Sequence, residues 1–85
     1  MSSGIDWSRL RSLTARELIS ALMRDGFSLR SQSGSHQRYF HSDGRRVTVS
    51  FHRPGDIFPP KTLRRIIDDQ ARWNRDALIR LKLLK

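Results

Sequence analysis

Residues 27–51 read FSLRSQSGSHQRYFHSDGRRVTVSF, and the fold turns on them. From Phe27 to Gln32 the residues alternate, Phe27 and Leu29 on one side, Ser28 and Arg30 on the other, which predicts a half-buried strand. Ser33-Gly34-Ser35 is a turn. A second strand runs from His36 to His41. With Tyr39 facing inward, alternation sets His36, Arg38 and Phe40 together on the outer side. Ser42-Asp43-Gly44-Arg45 places an Asp-Gly dipeptide between two strand-like runs, the signal of a hairpin loop. The third strand, Arg46 to Phe51, turns Val47, Val49 and Phe51 to the core and Thr48 and Ser50 outward. Two hairpins in succession make a three-stranded antiparallel meander.

Helical signals flank the meander. Thr14-Ala15-Arg16-Glu17 is a capping box, in which hydroxyl and carboxylate satisfy each other's free backbone N–H groups. Leu18, Ile19, Leu22 and Met23 then share one face, and Asp25-Gly26 ends a helix over about residues 15–25. Before it, Trp7, Leu10 and Leu13 are spaced for a helical turn packed on the domain edge. After the sheet, His52-Arg53-Pro54-Gly55-Asp56 is a loop anchored by Ile57 and Phe58. Pro59-Pro60 opens the next helix, whose buried face is Leu63, Ile66 and Ile67. Trp73-Asn74 reads as a break, with Asn74 capping a last helix striped by Ala77, Leu78, Leu81 and Leu84; the alternative is one helix over 60–84. The expected class is α+β, an α-β-β-β-α two-layer sandwich with an extra C-terminal helix and one sheet face open to solvent. The expected organisation is a lead-in (1–13), a main domain (14–72) and a helical extension packed on it (73–85).

Charge narrows the function. Seventeen Lys and Arg oppose eight Asp and Glu, a formal net charge of +9, and fourteen of the seventeen are arginine. The planar guanidinium suits phosphate better than a lysine point charge does. Nucleic acid is therefore the leading partner class, with an acidic protein as a compatible rival. There is no cysteine, which removes disulfides and thiolate metal sites and fits a cytoplasmic location. Residues 1–6 carry neither the basic nor the apolar region of a signal peptide, and no apolar run approaches the ~20 residues of a membrane span.

Arg30, Arg38, Arg45, Arg46, His52 and Arg53 are expected to face outward from the sheet and its loops. Lys61, Arg64 and Arg65 add a basic cluster at the start of the second main helix. They serve either phosphate binding or a solvated face in which Arg64 and Arg65 pair with Asp68 and Asp69 at i+4. His36 has three readings: acid/base catalyst, strand residue with one hydrogen bond, or metal ligand. The histidines are not at ligand spacing, so no metal or other cofactor is expected. If His36 is catalytic, the residue inventory favours RNA cleavage by the substrate's own 2′-OH. A histidine near neutral pKa then moves the proton and an arginine such as Arg38 stabilises the charged phosphorane. His41 decorates the hairpin on this reading, His52 lies near the phosphate path, and outward Phe40 either stacks on a base or covers a partner interface.

The capped helix ending in Asp25-Gly26-Phe27 carries a wider resemblance, in order with Gly34-Ser35-His36, Arg45-Arg46-Val47-Thr48-Val49, His52 and Lys61-Thr62-Leu63-Arg64-Arg65-Ile66-Ile67. Over roughly residues 13–80 the chain resembles the HicA-type (YcfA-like) mRNA interferase toxins. The resemblance implies a double-stranded-RNA-binding-like fold and ribosome-independent mRNA cleavage, with His36 as the catalytic residue. It also implies growth arrest under stress and neutralisation by a HicB-type antitoxin that links the complex to operator DNA. The RNA-binding set expected beside His36 is Arg30, Ser35, Arg38, Lys61, Arg64 and Arg65, with His52 and Arg53 as secondary candidates. A module that binds RNA without cutting it, and an interaction subunit of a repressor complex, are the competing functions. Three departures stand out. Ser50 replaces a frequent proline, Arg72 replaces a glycine common before Trp73, and the lead-in through Trp7 is long. An arginine at 72 favours continuity between the last two helices.

Overall fold

The structure is a computed structural model that describes residues 4–84. A 3-10 turn, Trp7–Leu10, leads into α1 (Ala15–Arg24), then β1 (Ser28–Ser33), β2 (His36–Phe40) and β3 (Arg46–Ser50). Next come α2 (Pro60–Arg64), a π-helical continuation (Arg65–Gln70) and α3 (Arg75–Arg80). The order is α-β-β-β-α with a three-stranded antiparallel sheet, as in double-stranded-RNA-binding-like domains, followed by α3.

The capping box forms as expected. Thr14 N–H donates to Glu17 Oε1 at 2.9 Å, and Glu17 N–H to Thr14 Oγ1 at 3.2 Å. The next two free N–H groups, of Ala15 and Arg16, donate to the Asp56 and Pro54 carbonyls, which ties the 52–57 loop to the start of α1. At the other end Gly26 takes φ +103, so that Phe27 N–H reaches the Leu22 carbonyl at 2.9 Å.

The meander has the order β1-β2-β3. Tyr39, Val47 and Val49 are the strand residues buried against the helices. The expectation of a half-buried first strand does not hold: all of β1 is exposed, Leu29 to 45%. The helical layer covers β2 and β3, while β1 projects beyond it. A bulge at Arg30, where the register passes from Leu29↔Tyr39 to Ser31↔Arg38, further disrupts its pleat. Phe27, just before the strand, is the residue that enters the core.

The two edges of the sheet differ. At the β3 edge Thr48 N–H donates to Gln70 Oε1 at 2.7 Å, so a helical side chain covers it. Ser50, two residues on, has its N–H on that same outer side of the strand, which is why a proline there would break no ladder bond. Among the described residues no strand pairs with the outer edge of β1.

The C-terminal region is two helices rather than one. Ala71 N–H bonds the Ile66 carbonyl at 2.8 Å in i+5 fashion, and Arg72 then takes φ +56. The arginine at 72 thus does not carry the helix through. Left-handed backbone costs a non-glycine residue about 1 kcal/mol, and burial of the large Trp73 side chain offsets it. Asn74 caps α3 as read from sequence, accepting from Ala77 N–H at 2.8 Å. One core takes in Leu10 and Leu13 from the lead-in, Leu18 and Leu22 from α1, the three strand residues, and Leu78 and Leu81 from the α3 region.

Candidate nucleic-acid interface and its histidine

The open sheet face is built from β2 outward. Register sets His36 between Ser33 and Ser50, Arg38 between Ser31 and Thr48, and Phe40 between Ser28 and Arg46. His36 and Arg38 therefore stand in a lawn of hydroxyl groups, ~7 Å apart along the strand. No acidic residue occurs from Gly26 to Ser42 or from Gly44 to Gly55, so the face is cationic without local compensation. His36 and Arg38 share a shallow groove of about 360 Å³ with Ser31, Gln32 and Ser33. His36 is exposed. Among the described residues, no side-chain hydrogen bond or ion pair shorter than 4 Å holds its ring.

The turn before it is firmly placed. Gly34 adopts φ +58, and the Ser35 and Ser50 hydroxyls lie 3.3 Å apart. Phe51 N–H donates to the Ser35 carbonyl at 3.2 Å, stitching the turn to the end of β3. At the far end of the face, the Arg30 and Arg46 guanidinium carbons lie 4.9 and 5.0 Å from the Phe40 ring centroid. Phe40 is outward as expected, but two cations already lie against its ring.

The other sequence-predicted residues lie elsewhere. His52 lines a small groove with Gln32, Gly34, Ser35, Gln37 and Phe51. The His52 and Arg53 N–H groups both donate to Asp56 Oδ2, at 3.1 and 3.0 Å. These bonds hold the Asp56 carboxyl below its usual pKa. Lys61, Arg64 and Arg65 share a separate groove with Asp68 and Asp69. The i+4 ion pairs of the alternative reading are not formed, because the chain enters the wider π turn at Arg65, which breaks the α-helical side-chain spacing. Arg64 instead places its guanidinium carbon 4.6 Å from the Trp7 ring centroid. Among the described residues no three His, Asp or Glu side chains are grouped so as to hold a metal ion.

Arg45, expected outward, is a correction. It turns beneath the hairpin, bonds the Ala71 carbonyl at 2.6 Å and meets Asp25 at 3.0 Å and Asp43 at 2.8 Å. Asp25 is the hub, its side chain 7% exposed, and also accepts from Trp73 Nε1 at 2.9 Å and Arg80 Nη2 at 3.0 Å. Burial pushes its carboxyl up, but the bonds from Trp73 and Arg80 and the charge of Arg45 prevail and leave it below the usual range. His41 belongs to the same end. Asp43 N–H donates to its Nδ1 at 3.0 Å, so Nε2 carries the hydrogen and donates to the Asp25 carbonyl at 2.7 Å. Sequence reasoning had His41 as decoration and read Asp25 only as part of the end of α1.

The architecture is thus that of a small α+β domain with a basic open sheet, and comparison with known proteins agrees. The family model described as "HicA toxin of bacterial toxin-antitoxin" matches residues 15–72. No curated protein matches the chain. The matched span runs from the first residue of α1 to the break at Arg72. The chain belongs to the HicA toxin family, the toxin side of a toxin–antitoxin pair. No helix among the described residues is long and apolar enough to cross a membrane.

Proposed function

We propose that the chain is a cytoplasmic endoribonuclease that cleaves mRNA, with His36 as general acid/base and Arg38 as the charge stabiliser. The observation that carries the reading is the exposed His36 ring, unclaimed by other side chains, on a cationic face rich in hydroxyls. In the proposed step the substrate 2′-oxygen attacks the adjacent phosphorus and its proton passes to the imidazole. The P–O5′ bond breaks, the products being a 2′,3′-cyclic phosphate and a 5′-hydroxyl, and the leaving oxygen takes a proton from solvent or from the imidazolium. Arg38, on the same face two residues along, can donate to the phosphorane oxygens. Arg30 and Ser35 extend the contact on either side. Lys61, Arg64 and Arg65, with His52 and Arg53 secondarily, hold more distant phosphates. A HicB-type antitoxin restrains the toxin and links it to operator DNA.

The test is purified protein with RNA in EDTA. Wild type should cut RNA and leave an oligonucleotide with a 2′-deoxy residue at the cleavage position intact. His36→Ala should bind RNA with unchanged affinity and fail to cut. Cleavage by His36→Ala at the wild-type rate would sink the mechanism. The competing reading, an RNA-binding module without catalysis, draws support from the lining of the His36 groove, which offers no second acid or base. It wins if the wild-type protein binds but never cuts.

A further inference from the structure

A cavity of about 410 Å³ opens between the lead-in turn and the start of α2, lined by Trp7, Ile57, Phe58, Pro60 and Leu63 with Arg11 and Arg64. Three observations single it out. Ile57 is 60% exposed beside buried Phe58, an aliphatic side chain left to solvent where its neighbour is not. The Arg64 guanidinium carbon lies 4.6 Å from the Trp7 ring centroid, so one wall of the cavity joins a flat apolar surface to a cation. The charged residues lining the cavity are both arginines, Arg11 and Arg64, with no acid to balance them.

These features select the occupant. A nucleic-acid strand supplies charge and flat bases, but the walls of Ile57, Phe58, Pro60 and Leu63 would leave the hydrogen-bonding edges of an inserted base unpaired. A second copy of the chain would bring its own net charge of +9 against the first. What fits is an apolar side chain on an acidic peptide, with carboxylates for Arg11 and Arg64. We propose that this cavity is an anchoring site for an acidic segment of the antitoxin, which buries one apolar side chain between Trp7 and Ile57. The proposal rests on the reading that the chain is held by an antitoxin. The lining shares no residue with the His36 groove, so the antitoxin grips the toxin at a place apart from the histidine.

The probe is the chain's cognate antitoxin of the HicB type, titrated calorimetrically into full-length protein. Ile57→Glu and Arg11→Glu change exposed side chains, and thermal melts matching wild type verify that both fold. Each should weaken antitoxin binding at least about tenfold, while free protein cuts RNA at the wild-type rate. Trp7→Phe keeps a ring but shortens the apolar wall, and should weaken binding about three- to tenfold. Wild-type affinity in all three variants overturns the proposal. So does a loss of RNA cleavage in Ile57→Glu with antitoxin binding intact, which assigns the cavity to nucleic acid, or a dimer that Ile57→Glu dissociates, which assigns it to a second copy. If the antitoxin fails to bind wild-type protein, the pairing itself falls, a result distinct because it needs no variant.

Discussion

His36 and His41 stand five residues apart, at opposite ends of β2, and the structure treats them differently. Both ring nitrogens of His41 are engaged, its ring lies edge-on to Phe27 with centroids 5.0 Å apart, and its surroundings are a network of ion pairs around Asp25. His36 faces solvent over a floor of serines. One end of the sheet commits its polar groups to holding the fold, and the other leaves its histidine unclaimed by any side chain among the described residues. A histidine's type and position in a strand therefore say little about its task; the partners that claim its nitrogens say much more.

The comparison is broken most severely by exchanging roles. His36→Ala should lower RNA cleavage by about 10²–10⁴-fold with a melting temperature close to wild type, whereas His41→Ala should leave cleavage per folded molecule intact. Its cost is stability, about 1–3 kcal/mol by denaturant titration, because the Asp43 N–H and Asp25 carbonyl each lose a partner. If His41→Ala proves as stable as wild type, the structural role assigned to it is wrong.

Removing the hub is the next largest effect. Asp25→Ala leaves Arg45 with Asp43 alone as counter-charge and Trp73 without an acceptor, at an expected cost of about 3 kcal/mol. A small domain has ~5–15 kcal/mol in all, so urea midpoints should fall sharply. The same carboxylate makes stability fall in acid. Its folded pKa lies below the ordinary 3.8, so its stabilising contribution is fully present above the unfolded value. That contribution is lost as pH falls from about 5 through the folded pKa. Asp25→Asn should flatten this part of the pH–stability curve; an unchanged slope would assign the acid sensitivity to other carboxylates.

Smaller changes sharpen the contrast at the helix ends. A Cβ on Gly26 would lie 2.9 Å from His41 Nε2 at a backbone φ of +103, so Gly26→Ala should cost about 1–2 kcal/mol and disturb the His41 bonds. Arg72 holds the equivalent left-handed conformation at φ +56 with a side chain that gains nothing from it. Arg72→Gly should raise stability by up to about 1 kcal/mol, read as a higher melting temperature with cleavage unchanged.

Much of this was legible in the sequence where the signal is local. The capping box at Thr14, the Asp-Gly hairpin and the alternation through Val47 and Val49 each act within a few residues, and the helix, the meander and the common face of His36, Arg38 and Phe40 followed. What escaped depends on distant partners. Leu29 sits in an alternating pattern, but no helix extends far enough to bury it. Arg72 carries no glycine-like mark, and its backbone reverses because Trp73 must reach Asp25, 48 residues away. Arg45 looked like one more outward cation, yet it lies among Asp25, Asp43 and the Ala71 carbonyl. Two hints were available: Trp73, a core-sized residue whose N–H needs an acceptor, and the glycine common at the position of Arg72 in the family that the chain resembles.

The covered β3 edge has a consequence for assembly. Gln70 takes Thr48 N–H out of reach, whereas no strand among the described residues pairs with the outer edge of β1. A further strand therefore meets a more open row of backbone groups beside β1 than beside β3, and a unit whose two sides differ in this way favours a pair over an extended stack.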